Sequence, residues 1–177
     1  MIQKYTQTTY ETCLACCLLQ LVNNVKPIKI TKKLELDCIV HSLKFSKNDF
    51  VIGHLDFIVK KFKVNILRIV DNIYFYNYIK KIKHSKNINT IVQTIDLNLI
   101  NNLLKKNYPI IYIDAYYLFK IHHYPHFVTV LKKNKNNYKI FDTWDGKIKL
   151  INQITFLESI ISLRNRLRFT PQILTIT

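Results

Sequence analysis

Apolar and polar positions along this chain change period near its middle. Residues 12–24 (Thr-Cys-Leu-Ala-Cys-Cys-Leu-Leu-Gln-Leu-Val-Asn-Asn) are apolar on nearly every side, which predicts a buried helix. Asn23-Asn24 and the following Pro27 supply its stop. Two further helices are predicted over 31–43 and 49–62, the second carrying Phe50, Leu55, Ile58, Val59 and Phe62 at helical spacing. Residues 64–70 read as a strand, and 73–83 fit helix and strand equally. Asp96 suits an N-cap for a helix with Leu97, Ile100, Leu103 and Leu104 on one face, ending near Asn107. Beyond that point the period falls from 3.6 to 2. Strands are predicted over 108–114, 127–131, 138–141, 148–151 and 168–176, with one helix, 155–163, among them. Helices first and strands afterwards predict an α+β fold. The expectation is a single domain over 1–177, with a helical part over about 1–107 and a mostly antiparallel sheet over about 108–177.

Composition narrows the class. A chain of 177 residues with 49% apolar content can bury a sizeable core. Two Gly and four Pro exclude collagen-like and linker-type sequences. Lys and Arg number 27 against 11 Asp and Glu, a formal charge of +16 that attracts nucleic acid or anionic lipid non-specifically. The lysines are nevertheless spread along the chain in pairs such as Lys32-Lys33 and Lys132-Lys133, with no dense basic tract interleaved with Arg. Abundant Lys, Asn and Ile are what an AT-rich coding sequence produces. A solvated basic surface is therefore expected ahead of a nucleic-acid groove. The longest apolar stretch, Leu14 to Val22, is too short to span a bilayer, and the N-terminus lacks the apolar core of a secretory signal. A cytoplasmic chain without a membrane span is expected. Cys13, Cys16, Cys17 and Cys38 are too crowded for a disulfide framework, so reduced thiols are expected.

The chemistry starts at Cys13. A thiol at the start of a buried helix feels the positive end of the helix dipole, which favours thiolate. Two starts are open: Thr12 as N-cap, or a capping box from Thr8 and Glu11 that places Cys13 inside the first turns. A base is needed, and His126 opens one predicted strand while Asp142 closes the next. If the polar turn between them is centred on Asn134, positions summing to 268 lie opposite each other, and His126 and Asp142 are direct cross-strand neighbours. A carboxylate there holds an imidazole in the tautomer and orientation that a nucleophile needs. Gln7, six residues before Cys13, can present a side-chain amide to a developing oxyanion together with the backbone N–H of Cys13.

Gln7-Thr-Thr-Tyr-Glu-Thr-Cys13-Leu-Ala-Cys16, His126-Phe-Val-Thr-Val-Leu and Phe141-Asp142-Thr-Trp144 resemble the papain-like peptidases that cut leader peptides after a double glycine. The resemblance covers most of residues 5–163, with the three segments as its specific part. It implies a papain-like fold, Cys13 as nucleophile, His126 as general base and acid, Asp142 as orienter and Gln7 as oxyanion donor. It implies a peptide or protein substrate, and no metal or cofactor. Three positions depart from the family. Leu14 stands where Gly usually follows the nucleophile, Thr12 stands where an acidic residue commonly precedes it, and Thr143 replaces a Pro after the Asp. Leu14 is expected to narrow the cleft, with Tyr124 and Trp144 as flanking aromatics for a bound peptide.

Other readings stay open. The same groups serve acyl transfer, in which an amine resolves the thioester, and a papain-like domain without turnover that only holds a peptide. Cys13-Leu-Ala-Cys16 is formally a C-x-x-C redox pair, although no clear strand precedes it. Cys13, Cys16, His122 and His126 add up to four zinc ligands, although this Cys pair enters a continuous helix instead of a Gly-rich turn. Nucleic-acid binding through the basic surface predicts steep salt dependence and indifference to Cys13→Ala.

Overall fold

The computed structural model describes residues 2–45 and 49–177. Its elements follow local signals closely. Helix α1 spans Cys13–Val25 and is buried along most of its length. Thr31 caps α2 (Lys32–Ser42) by accepting from Leu34 N, and Asp49 caps α3 (Phe50–Phe62) by accepting from Val51 N. Lys63 ends α3 in the left-handed conformation, with φ of 58°. Strand β1 (Ile66–Val70) follows, then α4 (Ile73–Ile79), which resolves the ambiguous 73–83 stretch in favour of a helix capped by Asn72. Strand β2 (Ile88–Val92) precedes α5 (Leu97–Leu104), whose N-cap Asp96 accepts from Leu99 N. The remainder runs β3 (Ile110–Asp114), α6 (Tyr116–Phe119), β4 (Pro125–Asn134), β5 (Asn137–Asp142), β6 (Lys147–Asn152), α7 (Gln153–Asn165) and β7 (Gln172–Ile176).

The seven strands of the described residues form one sheet in the order β2-β1-β7-β3-β4-β5-β6. Only β1 and β2 run parallel; the other neighbours are antiparallel. The chain is thus mixed α+β, but the boundary near residue 107 does not divide helices from sheet. The last strand, β7, inserts between β1 and β3, so strands from the first half are stitched into the same sheet. Strand β2 escaped the sequence pattern because it lies at an edge and four of its five residues are not fully buried. The C-terminal strand is shorter than its pattern. Arg168 takes a positive φ of 61° and Pro171 offers no N–H, so extended pairing starts only at Gln172.

Two apolar layers cover the sheet. Leu14, Leu18 and Leu21 of α1 and Leu55 and Ile58 of α3 pack with Ile66, Ile110, Phe127 and Leu174. A second cluster joins Ile100 of α5 and Phe156 and Ile160 of α7 to Ile111, Val128, Ile140 and Ile173. Helices α2 and α3 approach so closely that a Cβ on Gly53 would sit 2.6 Å from Ser42 Cα, which accounts for one of the two glycines. No helix among the described residues is long and apolar enough to cross a membrane.

Candidate active site

Helix α1 lies across β4, and one thiol fixes how. Cys17 Sγ donates to the carbonyl of Phe127 at 3.4 Å. Cys13 sits one turn earlier on the same helix face and so comes against His126, the residue beside that anchor. Thr12 holds the N-cap position of α1, one of the two expected starts, but its side chain makes no cap hydrogen bond to that helix. A 3-10 turn over Tyr10–Thr12 precedes α1, with Thr12 Oγ1 donating to the Thr9 carbonyl at 2.8 Å and Thr9 N donating back to that hydroxyl at 3.2 Å. Thr8 is engaged elsewhere, with N and Oγ1 donating to the buried Glu35 of α2 at 2.7 and 2.5 Å. Tyr5 donates to the same carboxylate at 2.6 Å, so Glu35 pins the segment that carries Gln7.

His126 and Asp142 do meet, by a different register from the one centred on Asn134. The turn is the two-residue Lys135-Asn136, with Asn134 opposite Asn137 and Lys133 opposite Tyr138. Continued unbroken, that register puts His126 and Asp142 on opposite faces, because the side-chain period is two. A bulge between Val130 and Lys132 adds one residue to β4, and beyond it Val130 faces Ile140 and Thr129 faces Phe141. The extra residue restores the parity. His126 and Asp142 are therefore diagonal neighbours on one face, and their contact is Nε2 to Oδ1 at 2.9 Å.

Both groups are buried, His126 at 2% and Asp142 at 0% exposure. Burial pushes His126 down, but hydrogen bonds to Asp142 and to the Cys13 thiol, with the charges of both, outweigh it and raise the imidazole to about 9. Because Nε2 is held by Asp142, Nδ1 is the ring nitrogen left for Cys13. Burial pushes Asp142 up, and the hydrogen bond and charge of His126, then Lys149 and the Trp144 N–H, carry it below the usual carboxylate range. Trp144 N donates to Oδ1 at 2.9 Å, and Lys149 Nζ lies 2.5 Å from Oδ2. The other thiols differ in kind. Burial pushes Cys16, Cys17 and Cys38 well up, whereas Cys13 is partly exposed. All four cysteines are free.

Gln7 sits against this group and bridges two walls. Its N donates to the Thr143 carbonyl at 2.8 Å, and its Oε1 accepts from Thr143 Oγ1 at 2.8 Å. The amide Nε2 donates to the carbonyls of Thr9 and Tyr10 at 2.9 and 3.1 Å. Both amide hydrogens are satisfied within the turn that leads to Cys13, so Gln7 reaches an oxyanion only by exchanging one of these carbonyls. Tyr124 and Trp144 stand beside His126 and Asp142. Tyr10, which the sequence pattern did not single out, joins them at ring-centroid distances of 5.5 and 5.3 Å. Tyr124 lies 6.2 Å from the His126 ring. Leu14 does not flank a cleft: it is 2% exposed and packs with Leu18 and Leu21 in the core. The helix turns that side chain inward one step after Cys13, so Leu14 serves the core instead of lining a cleft.

Cys16 points away from the pairing a redox or zinc site needs. It is 1% exposed and bonded to the Glu35 carboxylate. His122 packs on Tyr124 at 4.8 Å. Among the described residues no three His, Cys, Asp or Glu side chains converge as metal ligands. Lys149 and Thr143, which hold Asp142 and Gln7, were missed because each acts across a turn and carries no motif of its own. No model of a known family matches the sequence, and no curated protein matches it.

Proposed function

We propose that this protein is a cysteine peptidase of papain-like design, with Cys13 as nucleophile, His126 as general base and acid, and Asp142 as orienter. The observation that supports this reading is the buried line from a partly exposed thiol through an imidazole to a carboxylate, with the imidazole raised and the carboxylate lowered. That arrangement favours thiolate beside imidazolium. Cys13 Sγ attacks the amide carbonyl carbon, and the oxyanion is held by the Cys13 backbone N–H and by the Gln7 amide, which exchanges its Thr9 or Tyr10 carbonyl for it. As the C–N bond breaks, His126 gives its proton to the leaving amine. A water then loses its proton to His126 and attacks the thioester, which releases the acid and restores the thiol. The sequence uses no metal or cofactor. Tyr10, Tyr124 and Trp144 offer apolar, stacking walls to a peptide.

The experiment is incubation with a diverse peptide library, read by mass spectrometry for the wild type and for Cys13→Ala. Products that vanish in the variant support the reading, and the ends they carry separate hydrolysis from transfer to an amine. An unmodified library with the wild type, or products that persist in the variant, removes it. Gln7→Ala should lower turnover by roughly 10–1000-fold, the scale of one oxyanion donor. Since Gln7 also ties Thr143 to the turn before Cys13, its Tm is to be read alongside. Unchanged turnover takes Gln7 out of the site.

A further inference from the structure

Lys149 differs from the other lysines that form ion pairs. Lys33 and Lys60, paired with Asp37 and Asp56, have side chains 84% and 62% exposed, whereas that of Lys149 is 24% exposed. In the β5–β6 pairing Asp142 faces Lys147 and Ile140 faces Lys149, so Lys149 lies diagonally across from Asp142 on the same face. Its ammonium is 2.5 Å from Asp142 Oδ2, 3.1 Å from Asp145 Oδ2 and 4.2 Å from the centroid of the Phe119 ring. Phe119 in turn is edge-on to the His126 ring at 6.1 Å. A lysine that reflected only the Lys-rich background of the chain would have its head in water. This one is clamped.

We propose that Lys149 is a positioning residue for the Cys13–His126–Asp142 site: it holds one oxygen of Asp142 so that the other stays on His126 Nε2, and it tempers the negative charge that His126 feels. The inference rests on the peptidase reading for its use in catalysis, but the geometry concerns Asp142 and His126 alone. A carboxylate with both oxygens committed cannot rotate away from the imidazole, which fixes the tautomer that leaves Nδ1 for the thiol. A second cation on the same carboxylate also opposes the imidazolium. His126 therefore gives up its proton to a leaving amine more readily than it would beside an unshared aspartate.

The neighbouring charges are few. Cys13 and Cys17 face the pair from α1, Tyr10 and Tyr124 from the turn and loop beside it, and Asp145 and Lys147 from the end of the β5–β6 hairpin. Burial raises Cys17, Tyr10 and Tyr124 above their ordinary values, so all three stay neutral near neutrality. Cys13, Asp142, Lys149, Asp145 and Lys147 then carry the charge that His126 senses.

The test follows the His126 ring by NMR in histidine-labelled protein, with His126→Ala to assign the signal. Lys149→Met should move the His126 titration upward by about 0.5–1 pH unit, and Lys149→Arg should bring it back to the wild-type position. The alkaline limb of Cys13 alkylation should move in step. If Lys149→Met does not fold, Asp145→Asn frees the ammonium for Asp142 alone and should move His126 downward. A His126 titration that stays in place or moves the opposite way in the folded variant overturns the proposal. The titration reads His126 whether or not any peptide is cut, so loss of the peptidase reading and loss of this one are separate results.

Discussion

His126→Ala is expected to abolish thiol-dependent cleavage and to erase the selective alkylation of Cys13 near pH 6. In the wild type the imidazole is raised above its ordinary 6.5 to about 9, so at pH 6 it is charged and lies beside the thiol. A thiolate is stabilised there, and brief iodoacetamide treatment should label Cys13 well ahead of Cys16, Cys17 and Cys38, which burial keeps protonated and shielded. Without the imidazolium, an ordinary thiol with a value of about 8.5 is under ~1% ionised at pH 6. The labelling rate should fall by roughly 10–100-fold, less than the change in ionisation because a more basic thiolate is the better nucleophile. The wild-type rate should stay nearly level up to about pH 9, where His126 loses its proton, while that of the variant climbs steadily with pH. The measurement is site-resolved mass spectrometry against pH. Equal rates for Cys13 in the two proteins at pH 6 would end the ion-pair account, and Cys13 and Cys16 reacting as a coupled pair would turn attention to redox chemistry.

Local signals read well wherever one strong interaction decides the outcome. Asp49 and Asp96 cap their helices through their side chains, as an acidic residue ahead of an apolar period should. Strands β3 and β7 are buried on both sides, and their patterns stood out for that reason. Long-range placement was not legible. Nothing in residues 172–176 says that this strand slots between β1 and β3, because apolar alternation specifies a face and not a neighbour. The edge strand at 88–92 has too little burial to impose a pattern.

The site was legible by residue type and only in part by geometry. Cys13, His126 and Asp142 fall together, yet the turn between the two strands is centred between Lys135 and Asn136 instead of on Asn134, and a bulge corrects the parity. Two errors in register cancelled to leave a diagonal pair instead of a direct one. A bulge leaves no composition cue in Val130-Leu131-Lys132, since the extra residue is an ordinary one. Leu14 shows the opposite failure. Its place directly after Cys13 drew attention to the cleft, but helix rotation places it in the core. The Gln7 amide was inferred from spacing, while its engagement with Thr9, Tyr10 and Thr143 depends on loop coordinates that spacing cannot supply.

Asp142→Ala should be costly to the fold as well as to the chemistry. The carboxylate is fully buried and accepts from His126, Lys149 and the Trp144 N–H. Its removal leaves Lys149 free to lean on Asp145, but leaves the buried His126 without its counter-charge. Breaking one side of a buried ion pair costs about 3–5 kcal/mol. The loss depends on pH with a definite sign. Asp142 is lowered in the folded chain, so its contribution is present above the ordinary carboxylate value near 4 and fades as pH falls towards 2. His126 is raised, so its contribution is full below about 6.5 and fades as pH rises through about 9. The difference in Tm between wild type and Asp142→Ala should therefore peak between about pH 4 and 6.5 and shrink on both sides. Asp142→Asn keeps the shape and an oxygen for His126, but turns an amide N–H₂ towards the Lys149 ammonium, a contact between two donors. It should fold better than Asp142→Ala, retain more turnover, and lower the His126 titration, the reverse of the shift expected for Lys149→Met. Calorimetry across pH and the same histidine NMR read both effects. An Asp142→Ala protein as stable as wild type at pH 5 would mean that the ion pair does not form, and an Asp142→Asn protein as inactive as His126→Ala would mean that the charge of Asp142, more than its aim, carries the chemistry.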